Sequence, residues 1–255
     1  MDQLLVALDV DHGARALQLV EQLEGLVGGV KIGSRLFTLE GPALVKRIAD
    51  TGMRVFLDLK YHDIPNTVAQ AVEAATLTGA WMINVHASGG VPMMQAAAKA
   101  AVDTARTARR PKPLLIAVTV LTSMDEPTLH DVGVSRPLME HVVELARMAQ
   151  RAGLDGVVAS PLETREIRDT CGRDFAVVTP GIRGAAAGTD KNDQNRTMGP
   201  GEAVKAGSTY LVVGRPIIAA PDPRAAAEAI GAEVRQAQDQ DGEQVPQHRL
   251  PGFER

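Results

Sequence analysis

The chain has 255 residues, of which 45% are apolar and 23% charged, an ordinary balance for a globular protein that buries a sizeable core. A formal net charge of −4 gives it no basic field for nucleic acid or acidic lipid. Its single cysteine, Cys171, excludes an intramolecular disulfide and a cysteine-based metal cluster, and with 3% aromatics the core must be aliphatic.

The amino terminus has no basic segment leading into a long apolar one, so no signal peptide is expected. No apolar run approaches the roughly 18 residues of a membrane helix, and a cytoplasmic location is expected. Residues 4–8 read as a strand ending at Asp9, and residues 14–26 as a helix with Leu17, Val20, Leu23 and Leu26 on one side. Residues 29–32 form a second strand and 37–51 a helix, then 54–60 a third strand and 66–78 its helix. The fourth strand, 81–85, ends at His86 and precedes an Ala-rich helix over 91–107. Residues 113–120 make the fifth strand, followed by a helix from about Pro137. The sixth strand is 155–159 with a helix over 162–170, and the seventh is 175–178. The eighth is 209–213, and the last helix runs over 223–236.

Short, apolar, β-branched strands alternating with helices indicate parallel βα units with both sheet faces covered. Eight such units in this length predict an α/β fold, a (β/α)8 TIM barrel, as one domain over residues 1–235. An open sheet that omits the first strand is the competing architecture. No G-x-G-x-x-G follows the first strand, which removes the main support for a dinucleotide fold. Residues 236–255 are polar and are expected to form a tail outside the core, with Leu250 and Phe253 as possible anchors.

The third strand is anomalous. It reads as buried, yet it carries Asp58 and ends on Lys60, and Asp63 follows just before Pro65 opens a helix. Strand alternation predicts that Asp58 and Lys60 share one face while Leu57 and Leu59 share the other. Burying an ionised group costs several kcal/mol, so charges placed there are paired or working. Asp9, Lys31 and His86 mark the neighbouring strand ends. Taken singly, Asp9 suits a cap, Lys31 a snorkelling surface lysine and His86 a hydrogen-bonded structural histidine. Together they gather at the end of a barrel where active sites lie. A salt-bridge network without chemistry stays open as the alternative. A metal site fits less well, because the two lysines already bring positive charge to the carboxylates.

Loops after the seventh and eighth strands of such barrels often grip phosphate. Here they carry Pro180-Gly181-Ile182-Arg183 and Gly214-Arg215-Pro216-Ile217. Glycine lets backbone N–H groups approach closely, and arginine adds a charge-assisted fork. Between them residues 184–200 form a long loop containing Asp193-Gln194-Asn195-Arg196, a length typical of lids and binding loops.

In these motifs the chain resembles the orotidine 5′-monophosphate decarboxylases. The resemblance runs from Val6 to about Ile218 through Ala7-Leu8-Asp9, Val30-Lys31-Ile32-Gly33, Asn84-Val85-His86, Val120-Leu121-Thr122-Ser123, Asp193-Gln194 and the two phosphate motifs. Its most specific part is Asp58-Leu59-Lys60-Tyr61-His62-Asp63-Ile64-Pro65-Asn66-Thr67, with Tyr61 where many relatives have Phe. The resemblance implies a cofactor-independent, metal-free decarboxylation of orotidine 5′-monophosphate to UMP in pyrimidine synthesis. It implies Lys60 as proton donor, with Lys31, Asp58 and Asp63 completing the charged array. It further implies a homodimer in which Asp63 and Thr67 reach the other subunit's site. Asp9 and Lys31 would hold the ribose, Thr122 would lie near the pyrimidine, and Arg183, Gln194, Gly214 and Arg215 would hold the phosphate. Two other readings compete: a magnesium-dependent sugar-phosphate enzyme of the same barrel, and a non-catalytic nucleotide-phosphate binder, which would have no need of both lysines.

Overall fold

The computed structural model describes residues 2–182 and 197–240. Eight parallel strands close into a barrel in chain order: β1 (Leu4–Ala7), β2 (Gly29–Gly33), β3 (Val55–Tyr61), β4 (Met82–His86), β5 (Leu114–Val118), β6 (Gly156–Val158), β7 (Ala176–Thr179) and β8 (Tyr210–Val213). β1 pairs with β2 on one side, Val6 opposite Val30, and with β8 on the other, Val6 opposite Val213. The first strand therefore closes the barrel, and the open-sheet alternative falls. Between and after the strands come α1 (Gly13–Leu23), α2 (Ser34–Ala49), α3 (Pro65–Leu77), α4 (Gly90–Thr107), α5 (Glu126–Asp131), α6 (Leu138–Arg151), α7 (Thr164–Cys171), α8 (Pro200–Lys205), α9 (Arg215–Ile218) and α10 (Pro223–Gln240). Among the described residues no helix is long and apolar enough to cross a membrane.

Period-two alternation sorts the strand residues into two apolar layers. Leu4, Val6, Val30, Ile32, Val55, Leu57, Ile83, Val85, Val177 and Leu211 point outward and pack under the helices. Leu5, Ala7, Phe56, Met82, Ile116, Val178, Tyr210 and Val212 point inward and fill the barrel. Phe56 is the bulkiest of the fully buried side chains, and its truncation to Ala would cost about 3–5 kcal/mol. The same parity puts Lys31, Asp58, Asn84 and His86 on the inner face, above this plug.

The helices depart from expectation in instructive places. α1 buries Ala16, Leu19, Val20 and Leu23, a face rotated slightly from the expected stripe, while Leu17 and Leu26 stay half-buried. α2 starts three residues before the expected Phe37 and is broken at Gly41, whose φ of 66° leaves the helical region just before Pro42. α5 and α8 lie where no element was expected. Both are single short turns with a proline in the first turn, and Asp125 caps α5 by accepting from Thr128 N–H at 3.0 Å. α10 continues past Gln236 to Gln240, so the tail's first residues belong to the helix. Ala237 is buried there, Gln238 Nε2 donates to Gln3 Oε1 at 2.7 Å and Lys205 Nζ donates to Gln240 Oε1 at 2.9 Å. Leu250 and Phe253 lie outside the described residues.

Candidate active site

At the carboxyl end of β3 the ladder with β4 slips. Leu57 pairs with Ile83 and the next pair is Tyr61 with Val85, so Asp58, Leu59 and Lys60 stand opposite Asn84 alone. A bulge of this kind re-aims side chains. Lys60 takes up the slack with φ 54°, and the only other described non-glycine residue at positive φ is Arg109. That conformation costs a non-glycine residue about 1–2 kcal/mol and persists only where neighbours hold it. Asn84, which has no exposed surface, holds it: its Oδ1 accepts from Lys60 N–H at 2.8 Å. Regular alternation therefore ends at Asp58. Asp58 and Lys60 still meet, as expected, but through the turned backbone of Lys60.

Four side chains form one continuous array. Lys60 Nζ donates to Asp58 Oδ1 at 2.6 Å, and Asn84 Nδ2 donates to the same oxygen at 2.7 Å. Lys31 Nζ lies 3.3 Å from Asp58 Oδ2 and 3.4 Å from Asp9 Oδ1. Exposure rises outward, from 12% for the side chains of Asp58 and Lys31 to 35% for Lys60 and 59% for Asp9. Burial by itself would raise the Asp58 pKa, but Lys31 and Lys60 and the hydrogen bond from Asn84 hold it below the usual carboxylate value. Burial would likewise lower Lys31, but Asp58 and Asp9 carry it above the usual lysine value. Both groups are charged at neutral pH. The buried Lys31–Asp58 contact gains about 5 kcal/mol at an effective dielectric near 20, and solvent screening leaves less to the contacts of the more exposed Lys60 and Asp9. Stripping water from each buried ion costs several kcal/mol. Gain and cost nearly cancel, so the array is poorly explained as a stability device.

Beside it, His86 stacks on His62 with ring centroids 5.5 Å apart. Burial, then the neighbouring His62 and Lys60, lowers its pKa, so His86 is neutral at pH 7.

Two glycines border the open side. A Cβ on Gly33 would stand 3.0 Å from Lys31 Nζ and 3.6 Å from Asp9 Oδ1. One on Gly214 would meet Ala7 Cβ and Asp9 Oδ2, each at 3.5 Å. Gly214 precedes α9, whose first residue is the exposed Arg215. Barrel closure thus lines up Gly214, Asp9, Lys31, Asp58 and Lys60 across β8, β1, β2 and β3. Thr122 lies half-buried in the turn after β5.

Asp63 and Thr67 are not brought into this array. Both are exposed, and the Asp63 carboxylate accepts from Ile64 N–H at 2.6 Å instead of pairing with either lysine. Arg183 and Gln194 lie outside the described residues. Sequence reasoning missed Asn84 as a site residue, although its motif was visible. The available signal was a carboxamide at an inward strand position, one strand away from a buried carboxylate. Among the described residues, no three His, Cys, Asp or Glu side chains gather as a metal site would require.

A sequence profile described as the orotidine 5′-phosphate decarboxylase / HUMPS family matches residues 2–230. A Moorella thermoacetica protein named orotidine 5′-phosphate decarboxylase is 53% identical over 234 residues, which cover 91% of this chain and 92% of that one. A Syntrophotalea carbinolica protein of the same name is 54% identical over 235 residues, 92% of this chain and 96% of that one. The crystal structure of orotidine 5′-phosphate decarboxylase from Lactobacillus acidophilus superposes with a TM-score of 0.81 at 38% identity, covering 92% of this chain and 99% of that one.

Proposed function

The chain belongs to the orotidine 5′-phosphate decarboxylase / HUMPS family, and on that premise we propose that it converts orotidine 5′-monophosphate to UMP without metal or organic cofactor. The observation that carries the reading is the Lys31–Asp58–Lys60 array, two ammonium groups at 3.3 and 2.6 Å from one buried carboxylate at the mouth of the barrel. The bond from the ring carbon to the carboxylate breaks, carbon dioxide leaves, and the electron pair stays in the ring plane, where the ring's π system cannot take it up. A fixed positive charge at that spot lowers the barrier. The Lys60 ammonium supplies it and then donates its proton to the carbon, forming the new C–H bond and leaving a neutral amine that water reprotonates. Asp58 holds that ammonium in place before reaction, so little reorganisation is left for the transition state.

Asp9 and Lys31 hydrogen-bond the ribose, and Thr122 borders the pyrimidine. Gly214 and Arg215, with Arg183 and Gln194, hold the phosphate, whose binding energy is available to organise the charged end. Asp63 and Thr67 act in the site of a second copy, making the working unit a homodimer. The support for this is their exposure beside Ile64, an apolar side chain that is 68% exposed. A cytoplasmic location belongs to the same reading.

The test is to mix the protein with orotidine 5′-monophosphate and a chelator and follow the pyrimidine absorbance. Sustained turnover is expected, and an unchanged spectrum overturns the reading. The magnesium-dependent sugar-phosphate enzymes of this barrel would instead fall silent with chelator. Sedimentation should give twice the chain mass, and a monomer that turns over at full rate removes the shared site.

A further inference from the structure

Asn84 makes two contacts that no backbone group duplicates. Its Oδ1 accepts from Lys60 N–H at 2.8 Å, and its Nδ2 donates to Asp58 Oδ1 at 2.7 Å, the oxygen that also receives Lys60 Nζ. Only this orientation of the carboxamide satisfies both partners, because the reverse sets NH₂ against N–H and C=O against carboxylate. One rigid group on β4 therefore fixes the backbone of Lys60 and the partner of its ammonium together. Because β3 sets three residues against Asn84 alone, the side chain takes the place of regular strand pairing there. With no exposed surface, Asn84 has nothing to offer a ligand directly.

We propose that Asn84 is a positioning residue of the decarboxylation: it holds Lys60 in its left-handed conformation and so sets where the ammonium stands. This rests on the functional reading above, in which Lys60 delivers the proton. A donor displaced by about 1 Å costs about 10²-fold in rate, while substrate contacts made by other residues stay intact.

The test compares the parent, N84A and N84D by crystallography, thermal unfolding and kinetics across pH. For N84A, kcat should fall about 10²-fold with KM changed by less than about threefold, the pattern of a lost transition-state contact. Its crystal structure should show Lys60 Nζ displaced from Asp58. In N84D the new carboxyl faces Asp58 and Lys60 on β3, Lys31 beyond Asp58 on β2, and His86, stacked on His62, on its own strand. Two carboxylates so close raise one pKa. When protonated, the new group again offers one acceptor and one donor. The ratio of N84D to parent kcat should therefore climb as pH falls.

A folded N84A with near-parental kcat, an unmoved Lys60, or a pH-independent N84D ratio each overturns the proposal. Failure of both variants to fold assigns Asn84 to structure alone and overturns it as well. An inactive parent would strike the decarboxylase reading instead, and the position of Lys60 in N84A would still decide the role of Asn84.

Discussion

The two ends of the barrel both bury charge, and they treat it differently. At the amino end, Arg168 on α7 donates to the carbonyl oxygens of Gly207, Gly172, Arg173 and Phe175 and, at 2.5 Å, to Thr209 Oγ1. Arg54 donates to Gly28 O at 2.6 Å, reaches Asp2 at 2.9 Å and lies 4.9 Å over the Trp81 ring, which packs T-shaped with Tyr210. These guanidinium groups are tied mainly to backbone carbonyls, with a hydroxyl for Arg168 and a ring face and the exposed Asp2 carboxylate for Arg54, and have little left to give. At the carboxyl end the lysines are held by carboxylates, of which Asp58 is itself held by one amide, and Lys60 keeps a third of its side chain open to the mouth. A cation tied to carbonyls staples loops. A cation balanced on a carboxylate beside an opening is available to a ligand.

The sharpest way to break this contrast is Lys60→Ala. Turnover should fall by at least about 10⁴-fold, since proton donor and fixed charge go together, while UMP binding by calorimetry and the melting temperature change little. Near-normal turnover would sink the donor role. The mirror experiment is Arg168→Ala, which leaves several carbonyls without donors. It should cost about 2–4 kcal/mol in urea unfolding with kcat of the folded protein unchanged. A large loss of kcat at full stability would mean that the two ends are not separable as described.

Arg215→Ala should raise KM about tenfold or more, the worth of one charged hydrogen bond, and leave Tm alone. An unchanged KM removes Arg215 from the phosphate grip.

The smallest effect concerns pH. The folded Asp58 pKa lies below its ordinary 3.8, so its contribution to stability is present above that value and lost as pH falls through the folded one. The folded Lys31 pKa lies above its ordinary 10.5, so its contribution is present below that value and lost as pH rises through the folded one. The stability gap between parent and Asp58→Asn should therefore stay flat across neutral pH and narrow only at the extremes, in acid as Asp58 protonates and in alkali as Lys31 loses its proton. A gap that varies between pH 6 and 8 would mean another group is titrating.

Much of this was legible because it is local. Leu4–Ala7 and Tyr210–Val213 announce themselves as buried strands by composition, and Asp58 and Lys60 stand out by charge within an apolar run. The short turns α5 and α8 were illegible because six residues give no helical period to read. Asp63 was legible as a charge, but the site proposed for it is that of a second copy, which a single chain does not contain.

By itself the sequence determined the eight βα units, the closed barrel as the better architecture and the strand ends that bear charge. Hydrophobic period and strand parity act over a few residues, and those are written directly in the chain. Tertiary structure alone decided that β3 slips against β4, that Lys60 turns left-handed and that Asn84 carries both ends of its pairing with Asp58. It also decided that Gly214 lies against Asp9, because closure sets β8 beside β1. Those outcomes depend on the register between strands, which is fixed by packing across the whole barrel and not by any one segment.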